Sequence, residues 1–190
     1  MKHIIWVIEL STNLRKDMND LKARFYKHLY VGDSQISGKG LFTDEIIKSG
    51  EIILSFGGVF ASMSDRLSGM YLKSSFVGIA ENTLLCELKD SQLDLSDYIN
   101  HSCSPNIGFD DCITMIAICD INQGEELLCD YSFWEADEKW KLKTECNCGS
   151  KNCRGIITGS DWRRITSKSK YYKYYSPFLK RRILKNEKQS

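Results

Sequence analysis

The chain has 190 residues, 42% hydrophobic and 27% charged, with 2 prolines, which suits one globular domain with a sizeable core and excludes a disordered or collagen-like chain. No run approaches the roughly 18 apolar residues of a bilayer span. The net charge of +1 hides an asymmetry: from residue 162 onward ten Lys or Arg face one acid, Glu187, leaving the preceding body at about −8. An acidic body suits a cationic substrate, and a basic tail suits phosphate or an acidic partner as well as a solvated helix face.

The N-terminal "MKHIIWVIEL" is a short apolar run ended by Glu9 with no small-residue cleavage site after it, so it reads as an arm rather than a secretory signal and the protein is expected inside a cell. "NLRKDMNDLKARFYKHL" follows with helical spacing at Leu14, Met18, Leu21 and Phe25, which predicts a helix. From Leu29 the pattern changes to short apolar runs punctuated by Gly, Ser, Asn or Asp, such as "LYVGDSQISGKGLFT", "EIILSFGGVFA", "MYLKSSFVGIA", "CITMIAICDI" and "EELLCDYSF". These are strand signals, and the middle of the chain is read as β-rich. After the polar "EADEKWKLKTE" comes a cysteine cluster, and "SPFLKRRILKNEK" predicts a short C-terminal helix.

In a reducing compartment clustered cysteines are metal or catalytic candidates rather than disulfides. Cys86, Cys112, Cys119 and Cys129 sit singly in apolar runs and read as small buried hydrophobes. "CNCGSKNC" instead sets Cys146, Cys148 and Cys153 in a polar, turn-like segment, one thiolate short of a tetrahedral site. Cys103, in the polar stretch "YINHSCSPN", is a candidate fourth ligand, and the other four cysteines stay open for that place. A nucleophile reading of Cys103 needs an imidazole in linear contact, which His101 two residues away does not guarantee.

"GKGLF", "YINHSCSPN", "GEELLCDYSF" and "CNCGSKNCRG", in that order, resemble the SET-domain protein lysine methyltransferases with a post-SET zinc motif, over residues 29–157. The resemblance implies an α+β, β-rich SET fold of small curved sheets with a knot-like C-terminal threading, a post-SET zinc clip and a C-terminal helix. It divides the chain into an N-terminal arm and helix (1–28), a SET domain (29–134), a post-SET segment (135–158) and a basic extension (159–190). It implies S-adenosylmethionine as methyl donor, held by Lys39, Gly40, Leu41, Tyr71, Asn100, His101 and Asn147, with Tyr131 as the catalytic tyrosine. Phe56, Tyr98, Cys129, Phe133 and Trp134 would wall a lysine channel, and Cys103, Cys146, Cys148 and Cys153 would hold one structural Zn2+.

Residue chemistry agrees with such a channel. A lysine amine with pKa near 10.4 is neutral about once in a thousand at near-neutral pH, and only the neutral amine attacks a methyl group. A narrow apolar channel and the positive sulfonium both disfavour the ammonium, so no dedicated carboxylate base is required.

Two departures from the family pattern bear on product: "FGG" places Phe56 where many members carry Tyr, and Cys129 stands where Tyr or Phe is usual. Both changes predict a roomy pocket that makes di- or trimethyllysine. Asp97 stands where Arg is common, without a functional reading from sequence.

A histone tail is the expected substrate, with nucleosomal DNA contacted through the basic C-terminus, a nuclear or chromatin location, possibly in a host cell, and no membrane partner. Non-histone lysines are the alternative substrate. A Rossmann-like methyltransferase would need a Gly-rich turn leading directly into a helix, which "GKGLFTDEIIKSGEIIL" lacks. A SET-like binding module without turnover is the rival from another class, and the presence of Asn100, His101 and Tyr131 together argues against it.

Overall fold

A computed structural model describes residues 22–189. Among them are β1 (Arg24–Phe25), β2 (Leu29–Asp33), β3 (Lys39–Thr43), β4 (Ile52–Ser55), β5 (Val59–Ser62), β6 (Val77–Ala80), β7 (Thr83–Cys86), β8 (Asn100–His101), β9 (Ile107–Phe109), β10 (Thr114–Ala117), β11 (Leu128–Cys129) and one α-helix, α1 (Pro177–Glu187). They form a six-stranded sheet in the order β1-β4-β10-β9-β11-β8, a three-stranded sheet β5-β7-β6 and the β2-β3 hairpin. No helix among the described residues is long and apolar enough to cross a membrane.

The small curved sheets and the C-terminal helix are as the sequence predicts. The expected N-terminal arm and most of its helix lie outside the described residues. Its end is corrected: Phe25 is in a strand, opposite Leu54 of β4, because pairing with an open sheet edge and packing on the core outweigh a weak helical period.

Sharp turns between the strands follow from single residues. Gly58, between β4 and β5, has φ +115° and a Cβ there would lie 2.6 Å from the Cys86 carbonyl oxygen, so no other residue fits. In the β9–β10 turn Asp111 Oδ1 accepts from the backbone N–H of Ile113 (2.8 Å) and Thr114 (2.7 Å), the Asx chemistry that nucleates turns.

The core joins the six-stranded sheet to the C-terminal residues: Leu54, Ile107, Phe109, Met115 and Phe133 pack with Trp162, Tyr175, Phe178, Leu179 and Ile183. Ser176 and Pro177 start α1, with Pro at N1, where its missing N–H costs nothing. Phe178, Leu179 and Ile183 are at most 3% exposed, and burying each contributes roughly 1.5–3 kcal/mol. The basic C-terminal residues therefore ride on an element that is part of the core.

The feature that builds the site is β11, which runs parallel to β8 on one side and β9 on the other. Asn106 clamps it there: Nδ2 donates to the Glu126 carbonyl (2.8 Å) and Oδ1 accepts from Leu128 N–H (2.7 Å). This threading carries the residues after Cys129 to the back of "NHSC".

Candidate active site

Tyr131 opens a short 3-10 helix, Tyr131–Phe133, whose N-cap Asp130 accepts from Ser132 N–H through Oδ1 (3.0 Å). The Tyr131 backbone N–H donates to His101 Nδ1 (3.1 Å) and its hydroxyl donates to the Ile99 carbonyl (2.8 Å). Burial, with Cys129 and Glu126 nearby, holds the phenol well above its ordinary value. The phenol keeps its proton, commits it to Ile99, and offers only oxygen lone pairs to its surroundings.

Burial lowers His101 to about 4, so its ring is neutral. With Nδ1 accepting from Tyr131, the proton sits on Nε2, which faces Cys103 Sγ at 3.4 Å. His101 is thus a donor to that sulfur and not its base, and burial pushes the Cys103 thiol up to about 11, opposite to an activated nucleophile.

Tyr131 forms a wall of two cavities. The larger, about 220 Å³, has Phe56, Trp134, Trp140, Ile99 and Val77 on its apolar side and Arg66, Glu87, Asp97 and Glu135 among its charged groups. The smaller, about 70 Å³, is lined by Ser37, Asn100, His101, Thr144, Cys146 and Asn147 among others. In the larger cavity burial raises Asp97 to about 6, aided by Asp94 and Glu87, and raises Glu87. Arg66 is held by a bidentate pair with Glu135, 3.0 and 2.5 Å.

Of the predicted cofactor residues, Asn100, His101 and Asn147 meet at the smaller cavity. Lys39, Gly40 and Leu41 stand behind it. Asn100 Nδ2 donates to Glu126 Oε1 (2.8 Å) and lies against the carbonyls of Ser37 (3.1 Å) and Lys39 (3.0 Å). A Cβ on Gly40 would sit 2.1 Å from Glu126 Oε1, so any larger residue displaces this carboxylate from Asn100. The Lys39 side chain turns outward to Asp33 (2.7 Å), and Leu41 is wholly buried. The structure does not bring Tyr71 here: it packs edge-on to Phe76 in the satellite cluster under the three-stranded sheet.

Of the predicted channel residues, Phe56 and Trp134 line the larger cavity. Cys129 and Phe133 do not. Cys129 is sealed between β8 and β9, and Phe133 faces the C-terminal residues, 4.7 Å from the Tyr175 ring. Tyr98 lies half-buried against the core.

The Sγ atoms of Cys103, Cys146, Cys148 and Cys153 all lie within 4.8 Å of one another. A tetrahedral zinc with bonds of about 2.3 Å sets sulfurs about 3.8 Å apart, and four thiolates suit zinc or an iron–sulfur centre. Backbone N–H groups of Cys103 and Arg154 already point at sulfurs, Cys148 Sγ at 3.5 Å and Cys103 Sγ at 3.4 Å.

A family model described as "SET domain" matches residues 38–132. The chain belongs to the SET domain family. This SET domain is similar to "Histone-lysine N-methyltransferase, H3 lysine-4 specific" of Aspergillus oryzae, 31% identical over 156 residues, covering 73% of the chain and 12% of that protein. The namesake in Cryptococcus neoformans is 34% identical, with 73% and 10% covered, and "Histone-lysine N-methyltransferase trithorax" of Drosophila virilis 32%, with 72% and 4%. The chain thus spans about an eighth or less of these relatives. KRYPTONITE, solved with mCHH DNA, an H3(1-15) peptide and SAH, shares the fold at TM-score 0.52 and 24% identity, over 70% of this chain and 30% of that one.

Trp140 and Asp161 of the SET domain site lay outside the motifs, and Glu126 and Arg154 stood inside them without a role. Trp140 sits T-shaped to the Tyr131 ring at 6.1 Å. Arg154 Nη1 and Nη2 donate to Asp130 Oδ2 and Oδ1, both at 2.7 Å. Burial works against its charge, but Asp130 holds the guanidinium well above its ordinary value. Glu126 was visible only as part of "GEELLCDY", and nothing local marked its bond to Asn100.

Proposed function

We propose that this SET domain is a protein-lysine N-methyltransferase acting on histone tails with S-adenosylmethionine as donor. The observation that carries the reading is Tyr131, one side chain that walls both an apolar, acid-edged cavity and a second cavity at Asn100, His101 and Asn147. The names of the relatives support the histone substrate.

Asn100, His101 and Asn147 would hold one end of the donor. At about 70 Å³ the cavity there is well short of the roughly 300–1,000 Å³ of drug-sized ligand sites, so the rest of the molecule lies outside it. S-adenosylmethionine supplies an electrophilic methyl group when bound. In the larger cavity the rings of Phe56, Trp134 and Trp140 strip water from an incoming lysine, which favours loss of its ammonium proton. Asp97, Glu87 and Glu135 outnumber Arg66 and Lys73 around that cavity by one charge, a balance that suits a cationic peptide. Tyr131, protonated and pinned to Ile99, aligns the amine and does not deprotonate it. The four cysteines would hold one zinc in a structural role, since all four positions are filled by sulfur and none is left for water.

Phe56 in the larger cavity supports di- or trimethylation, since it carries no hydroxyl to hold a water beside the amine. Cys129, walled off in β11, contributes nothing to that argument.

Intact-mass spectrometry of core histones with S-adenosylmethionine, run beside Tyr131→Phe, tests the reading. Additions of one to three methyl groups that fall sharply in the variant are expected. Cofactor binding without transfer to any histone points to a non-histone substrate or a binding module and overturns the histone assignment.

A nuclear, nucleosome-bound location follows from the same reading. Arg181 and Lys185 of α1 and Lys188 at its C-cap are exposed at i, i+4 and i+7, a single cationic stripe that fits a phosphate backbone. Reversing all three to Glu is expected to flatten the slope of log affinity for nucleosomes against log salt by about 3, and an unchanged slope removes DNA from the reading.

A further inference from the structure

Arg154 directly follows the last cysteine of the cluster and touches three parts of the site at once. Its backbone N–H donates to Cys103 Sγ at 3.4 Å. Its guanidinium turns inward to grip Asp130 through two parallel bonds of 2.7 Å, and Nε lies 2.9 Å from Asp161 Oδ2. Both acids are buried, with side chains 5% and 0% exposed. Asp130 has no other cation within 4 Å among the described residues; the nearest titratable nitrogen, His101 Nδ1, lies 3.9 Å away and accepts the Tyr131 N–H. The remaining charge near Asp161 is Arg164, exposed and 3.9 Å distant.

Without Arg154 a buried carboxylate would stand uncompensated beside Tyr131, a costly state that side chains move to relieve. The carboxylate concerned is the cap of the helix that begins with Tyr131, through Asp130 Oδ1 and the Ser132 N–H. A planar fork on a carboxylate fixes orientation as well as charge, so the guanidinium sets where that cap points.

We propose that Arg154 is a positioning residue that couples the filling of the four-cysteine site to the placement of Tyr131. Cys153 and Cys103 would be held together by a shared metal, which would aim the next residue, Arg154, at Asp130, and Asp130 in turn fixes the first turn carrying the tyrosine. Coupling of this kind is reciprocal: loosening Asp130 also loosens the metal segment. The kinetic part of the proposal rests on the methyltransferase reading; the structural part does not.

The test uses the full chain as wild type, Arg154→Gln, Arg154→Lys, Asp130→Asn and the Arg154→Gln/Asp130→Asn double variant, all purified with zinc. Zinc content, amide hydrogen exchange at Tyr131 and Ser132, affinity for SAH, and kcat and KM on a histone peptide are measured for each. Arg154→Gln is expected to keep one zinc per chain and SAH affinity within about threefold. Its Ser132 amide exchanges at least tenfold faster and its kcat falls at least tenfold, with KM for the peptide nearly unchanged. Arg154→Lys, which keeps the charge without the fork, recovers part of the loss. Adding Asp130→Asn to Arg154→Gln costs less than a further twofold, since the two act through one contact. Chelating zinc from the wild type accelerates exchange of the same Ser132 amide.

Unchanged Ser132 exchange in Arg154→Gln overturns the proposal. So does a uniform loss of zinc, SAH affinity and kcat that is additive with Asp130→Asn, which is the pattern of a purely structural residue. A wild type that transfers no methyl group to the histone peptide overturns the histone reading alone, and the exchange and zinc measurements still decide the coupling.

Discussion

Asp97 sits in the 3-10 helix Leu95–Tyr98 on the wall of the larger cavity, where burial and the neighbouring Asp94 and Glu87 carboxylates raise it from 3.8 to about 6, against the hydrogen bond from the Asp94 backbone N–H and a weaker pull from Lys22. Each pH unit between folded and unfolded values is worth about 1.36 kcal/mol, so the gap amounts to about 3 kcal/mol. The side chain is half-buried, and screening by water at the cavity reduces this to about 1–1.5 kcal/mol. Between pH 3.8 and 6 the folded chain binds more protons than the unfolded one, so this contribution to stability is complete below pH 3.8, falls as pH rises and is gone above about 6. Asn has no proton to lose, and its oxygen still accepts the Asp94 N–H that Asp97 Oδ2 takes at 3.0 Å. Asp97→Asn is therefore expected to stabilise the chain by about 1–1.5 kcal/mol at pH 7.5, raising Tm by about 2–5 °C. About half of that gain remains at pH 5. Thermal unfolding of both zinc-loaded proteins at pH 5, 6 and 7.5 measures it. A Tm difference that does not grow with pH, or a loss of stability at pH 7.5, refutes the reasoning.

Tyr131→Phe removes the bond to the Ile99 carbonyl, costing about 1 kcal/mol of stability and at least tenfold in turnover, with SAH affinity within about threefold; unaltered turnover would remove Tyr131 from the chemistry. Gly40→Ala drives Glu126 off Asn100 Nδ2 and Ser34 Oγ, a loss of roughly 1–3 kcal/mol from two hydrogen bonds. Calorimetry should show weaker SAH binding, matched by Glu126→Ala, which removes the same two bonds, and little weaker in the double variant; equal affinity in Gly40→Ala counts against the placement of the cofactor. Chelation, or Cys103→Ser, should release metal and open residues 142–158 to protease, while an unchanged digestion pattern means the cysteines close no metal site. At exhaustive turnover the peptide product should carry two or three methyl groups; an end point at one overturns the reading of Phe56.

Much of the site was written locally. "CNCGSKNC" could be placed from residue type and spacing, because ligand clusters and turns are short-range patterns, while "NHSC" and "DY" took their roles from the resemblance to SET domains. The C-terminal helix was equally plain, since a Ser-Pro start and apolar positions at 178, 179 and 183 lie within one element. Tyr71, Cys129 and Phe133 show the limit: a motif position says which residue stands near a site, but the side on which its side chain emerges depends on pairing partners far along the chain.

By itself the sequence determined the β-rich class and three of the four sulfurs, and its resemblance to SET domains pointed to Tyr131 and Cys103. The tertiary structure brought Cys103 to the other three sulfurs as expected, and it alone decided that Glu126 locks Asn100 over Gly40, that Trp140 closes on Tyr131 and that the basic C-terminus is anchored in the core. It alone joined Arg154 to Asp130, 24 residues apart, and to Asp161. Buried ion pairs leave no period or propensity in a sequence, because what selects their members is the loss of water around both charges when the chain has closed.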